Sequence, residues 1–115
     1  MLSRQVIRLK QSVKKEGKNM SKVITHEELT VGYTPVALTS SVYNPTTGPS
    51  AAFAMIHAEG GAMRYRDDGQ NPTQSSGALL EDGDIVELPS IYHIKNFRVV
   101  QADADAGKIV VTYED

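Results

Sequence analysis

The chain has 115 residues, enough for one domain around a single modest core. It contains no cysteine, which excludes a disulfide framework, a thiolate metal site and a cysteine nucleophile. Its net charge of −2 conceals two unlike parts: residues 1–22 hold seven basic residues against one acidic, and residues 23–115 hold five basic against thirteen acidic. The division predicts a basic N-terminal arm followed by one acidic domain over residues 23–115. The acidic part would repel phosphate, which argues against nucleic acid as a partner. No apolar run approaches the roughly 20 residues needed to span a membrane, and the N-terminus lacks the apolar stretch of a secretory signal.

In the arm, Leu2, Val6, Leu9 and Val13 recur four, three and four apart, one stripe of a helix. Arg4, Arg8 and Lys15 lie off the stripe, and Gly17 and Asn19 end the pattern. A short basic amphipathic helix suits a membrane surface, a phosphate or a partner protein. The plainer reading is a loose tail, because isolated helices of this length are marginal in water. A third reading comes from the genetic code. Lys15-Glu16-Gly17 can be encoded by a ribosome-binding sequence ahead of Met20, so Met20 is a candidate start and residues 1–19 a translated leader.

From residue 29 helical periodicity gives way to short β-branched and aromatic runs between turn signals. Strands are predicted at Leu29–Leu38, Ala51–Ala58, Ala62–Arg66, Asp84–Leu88, Tyr92–Ala102 and Ile109–Tyr113. Asn44-Pro45-Thr46-Thr47-Gly48-Pro49 breaks the chain, since neither proline can donate to a ladder. Gly60-Gly61 permits a sharp bend, and Asp68-Gly69 and Asp82-Gly83 are hairpin-type pairs. Within Ala51–Ala58, Phe53, Met55 and His57 share one face while Ala52, Ala54, Ile56 and Ala58 share the other; Ile109, Val111 and Tyr113 also align. Residues 90–100 fit either a strand kinked at Asn96 or a strand interrupted by one helical turn. No βαβ spacing occurs, so the expected fold is all-β: an antiparallel sandwich or jelly-roll-like barrel of six to eight short strands.

Sites of chemistry are sparse. His26, His57 and His93 lie far apart, and the His57-Ala58-Glu59 step lacks the further histidines of a barrel metal site, so no metal or other cofactor is expected. Asp67, Asp68, Glu81, Asp82 and Asp84 cluster where turns require such residues, without the spacing of a calcium loop. Neither serine cluster has the form of a nucleophile elbow, and no phosphate-binding glycine loop is present, so no enzyme is expected. The surface candidate is Arg64-Tyr65-Arg66-Asp67. Arg64 and Arg66 alternate onto one strand face, where two guanidinium forks can grip carboxylates of another chain. Internal pairing with nearby acids is the competing outcome.

One stretch carries a likeness: Gly60-Gly61-Ala62-Met63-Arg64-Tyr65-Arg66-Asp67-Asp68-Gly69, then Pro72-Thr73, Gly77 and Gly83-Asp84, with Asn96-Phe97-Arg98, Val110-Val111-Thr112-Tyr113 and Ala37-Leu38-Thr39 around it. Over about residues 30–113 the chain resembles small β-sandwich proteins of tailed-bacteriophage virions, of the capsid decoration or head-associated type. The resemblance implies a structural protein of the phage head or neck, held in the host cytoplasm before assembly. It implies docking on the major capsid protein or other virion proteins and a closed homo-oligomer, with a trimer favoured. It carries no catalytic residues. The competing expectation is a carbohydrate-binding module on a fibre or tail, with Tyr33, Tyr43, Tyr65 and Tyr92 as its stacking platform.

Overall fold

The computed structural model describes the backbone of residues 6–7 and all of residues 22–115. The fold is all-β, and among the described residues it consists of two antiparallel sheets with two short helices. Strands β1 (Val6–Ile7), β2 (Val23–Val31), β4 (Phe53–Gly60), β7 (Ile85–Leu88) and β9 (Gly107–Glu114) form a five-stranded sheet in the order β1-β7-β4-β9-β2. Strands β3 (Val36–Ala37), β5 (Met63–Arg66), β6 (Ala78–Leu80) and β8 (Arg98–Gln101) form a four-stranded sheet in the order β3-β8-β5-β6. Helix α1 (Ser40–Tyr43) and helix α2 (Ile91–Lys95) lie in the connections. The expected helical stripe of the arm and the candidate start at Met20 lie outside the described residues, except that Val6 belongs to the extended pair Val6–Ile7.

Alternation drives the burial. On β4, Ala54, Ile56 and Ala58 are buried, while Phe53, Met55 and His57 are half-buried on the outer side. On β9, Ile109, Val111 and Tyr113 are fully buried, as their period of two requires. The second sheet contributes Met63, Tyr65, Leu80 and Val99, and Ile94 and Phe97 fill in from α2 and its end. Tyr65 stacks on Phe97 with ring centroids 5.5 Å apart, and Tyr43 lies 6.0 Å from Tyr113.

Three expectations are corrected and one open reading is decided. The run Leu29–Leu38 is two strands in different sheets, because the chain leaves β2 at Gly32 and passes Pro35 before pairing again at Val36. Of the two readings open for residues 90–100, the interrupting helical turn is the one found: Ile91–Lys95 is helical, the Ser90 side chain accepts from the His93 N–H and caps the turn, and Ile94 points into the core. Strand β2 begins six residues before Leu29, at Val23, and β6 adds a strand that no predicted run covered.

Both crossings between the sheets that flank Gly60-Gly61 and Ala102–Ala106 meet at one corner. Gly61 N–H donates to the Ala106 carbonyl at 3.0 Å, and Ala102 N–H to the Ala62 carbonyl at 2.9 Å. The glycines allow this closeness. Gly60 has φ of +88°, and a Cβ on Gly61 would sit 2.0 Å from the Asp105 carbonyl oxygen.

Candidate partner-binding face

The outer side of the four-stranded sheet is set by register. Tyr65 pairs with Val99, and both face the core. Arg66 therefore stands beside Arg98, and Arg64 beside Val100, on the opposite side. Neighbouring strands add Leu79 opposite Arg64 and Ala37 opposite Arg98, both exposed. Val100 is buried yet stands apart from the inter-sheet core, on the arginine side.

The three guanidiniums are held in different ways. Arg66 forms a fork with Asp68, its Nε donating to Oδ1 at 3.0 Å and its Nη2 to Oδ2. That bond holds the Asp68 carboxyl down at about 2 and raises Arg66 above its ordinary value. Arg64 instead donates to backbone carbonyls of the 73–77 loop, from Nε to Gln74 at 3.1 Å and from Nη1 to Gly77 at 3.0 Å. Arg98 does likewise through Nη1, to Lys95 at 3.1 Å and Phe97 at 2.9 Å. Carbonyls fix a guanidinium in place without cancelling its charge. Among the described residues, the ion pairs are Arg66–Asp68, Lys108–Glu28 and Lys108–Glu59, so Arg64 and Arg98 are anchored cations without a carboxylate partner there.

The other predicted residues fall elsewhere. Tyr65 is buried, which leaves Arg64 and Arg66 as the outward members of the motif; Asp67 is half-buried where the strand turns. Asp68 accepts from Gln70 N–H, Asp82 from Gly60 N–H, and Asp84 from Glu81 N–H, so three of the clustered acids bind turn backbone. His57 and Glu59 stand on the outer side of the five-stranded sheet, and Glu59 meets Lys108 at 3.5 Å. Among the described residues, no three histidine or acidic side chains gather as a metal site. Of the four tyrosines proposed to stack on sugars, Tyr43 and Tyr65 are core residues, and only Tyr33 and Tyr92 are exposed. Arg98 is the member of the face that sequence reasoning missed, because it reaches Arg66 only through the β5–β8 pairing.

A second polar cluster links β2 to the start of α1. The Glu27 carboxylate accepts from the Tyr113 hydroxyl and from Thr39 N–H at 3.1 Å. Burial, aided by Glu27, pushes the Tyr113 hydroxyl well above its usual range, which keeps it protonated as a donor. The cluster joins elements and offers no free nucleophile. Comparison of the chain with protein-family models, with curated proteins and with solved structures finds no match.

Proposed function

We propose that the chain is a non-enzymatic structural protein of a tailed-bacteriophage particle, a capsid decoration subunit that docks on the coat shell. The observation that carries this reading is the outer face of the four-stranded sheet. It presents anchored guanidiniums with charge to spare, in a domain whose other charges are mostly acidic. A rigid strand pair is the right support for such a surface, because partner groups must be met in fixed positions. The carboxylates of the turns and of β2 support the same reading, since Glu27, Asp82 and Asp84 are bonded to the fold's own backbone or hydroxyls. The resemblance over residues 30–113 points to the coat protein or a neighbouring virion protein as the partner. Particle symmetry favours a closed ring of copies, with a trimer the simplest fit to a shell.

The test is quantitative mass spectrometry of particles purified after prophage induction of the source strain. Copy numbers comparable to the coat protein are expected, and the most N-terminal peptide will show whether the native chain starts at Met1 or Met20. Particles that lack the chain while the producing cells contain it would overturn the proposal.

A further inference from the structure

We propose that Arg64 and Arg98 form a two-point clamp for a pair of carboxylates carried by an extended segment of a partner protein. The inference rests on the docking reading for the identity of the partner, while the chemistry of the clamp stands on the face itself. Arg64 pairs with Val100, so Arg98 is its diagonal neighbour across the β5–β8 ladder. Diagonal positions of an antiparallel pair lie roughly 7–8 Å apart. Alternate residues of an extended strand are spaced by about 7 Å, so Glu or Asp at every second position matches the two arginines.

The arginine between them has another task. Arg66 stands directly opposite Arg98, and like charges in that relation destabilise a sheet. Asp68 neutralises Arg66 and so removes the conflict without touching the other two. Arg64 keeps Nη2 outside its two carbonyl bonds, and Arg98 keeps Nε and Nη2 outside its own. Those donors are already oriented, which reduces the ordering cost of binding. Val100 beneath and Leu79 beside them supply apolar ground that excludes water and strengthens each charge-assisted bond.

Charge favours a protein over a nucleic acid. Residues 23–115 carry five basic residues against thirteen acidic, so a phosphate chain is repelled by the domain as a whole. The pull of two arginines is screened within about 8 Å at physiological ionic strength. A segment that brings only two carboxylates to the clamp gains the local contacts and avoids most of the repulsion.

The experiment titrates the full-length purified protein with a ten-residue synthetic peptide bearing glutamate at alternate positions, against the same peptide with glutamine. Binding is read by calorimetry and by amide chemical shifts. The glutamate peptide is expected to bind about tenfold tighter or better, with shifts at residues 64, 66, 98 and 100. Arg64→Ala and Arg98→Ala should each remove that preference, and Lys108→Ala should keep it. Equal binding of the two peptides, or shifts confined to the five-stranded sheet, would overturn the clamp even if a variant failed to fold. Tighter binding of a short DNA duplex than of the glutamate peptide, with shifts at residues 64 and 98, overturns it too. The two readings separate cleanly: a chain present in particles that ignores the peptide loses the clamp and keeps the docking role. A chain absent from particles that binds the peptide keeps the clamp and loses the docking role.

Discussion

Arg64 and Arg66 are two residues apart on one strand and face the same way, yet their immediate partners give them different uses. Arg66 is bound to Asp68 and holds that carboxyl at about 2, below the ordinary 3.8. Because the folded value is the lower one, the link is complete above the ordinary range and is lost as pH falls from about 4 towards 2. The pair is largely exposed, so its contribution to stability is small. Its signature is local: an NMR titration of the Asp68 carboxyl should give a midpoint near 2, and Arg66→Ala should return it towards 3.8. Tyr113 shows the opposite economy, a buried hydroxyl that serves one half-buried carboxylate. Tyr113→Phe leaves Glu27 with the Thr39 N–H alone. A loss of about 1–3 kcal/mol is expected in a denaturant titration, the usual cost of orphaning a buried polar group. At this scale the outward direction of Arg64 and Arg66 was legible, since alternation on a strand fixes it. That Arg66 is neutralised and Arg64 is not was illegible, because it depends on where the 73–77 loop folds back.

Among the elements, the corner at Gly60-Gly61 decides whether the two sheets can be joined as they are. Here β4 hands over to β5 while the connection from β8 to β9 passes alongside. A methyl group on Gly61 would meet the Asp105 backbone, which has no flexible end to move aside. Gly61→Ala is therefore expected to cost about 3 kcal/mol or more, the upper range for overpacking, read as a lowered urea midpoint with an unchanged slope. The bend itself was plain in the paired glycines, and so were β5 and β9, where Met63 and Tyr65, and Ile109, Val111 and Tyr113, recur at a period of two. Other elements were hidden for physical reasons. The His26-Glu27-Glu28 run masked the start of β2, because Glu27 faces inward on the strength of bonds to Tyr113 and Thr39 that no local pattern announces. Ile91–Lys95 stood open between a kinked strand and a helical turn, because its residues suit strands, and a single capping serine with a buried Ile94 decides for the helix. Arg98 joined the candidate face through a register that spans more than thirty residues of chain. Such pairings are properties of the assembled sheet, and only the fold reveals them.

For the whole molecule, the arrangement of strands matters more than their number. The last strand, β9, lies at the middle of its sheet, between β4 and β2. Lys22 and Asp115 close the far edge by exchanging bonds, Lys22 N–H to Asp115 Oδ1 at 2.9 Å and Asp115 N–H to the Lys22 carbonyl at 3.0 Å. The chain is therefore made in one order and assembled in another. During synthesis β2 and β4 leave the ribosome long before the neighbour they share, and each emerges with a ladder edge unmatched. Until residue 114 has cleared the tunnel, the sheet has a gap at its centre and the core has no Ile109, Val111 or Tyr113 to seal it. Folding of this domain consequently waits for β9, and a chain cut short before Gly107 leaves two sticky strands in place of a closed sheet.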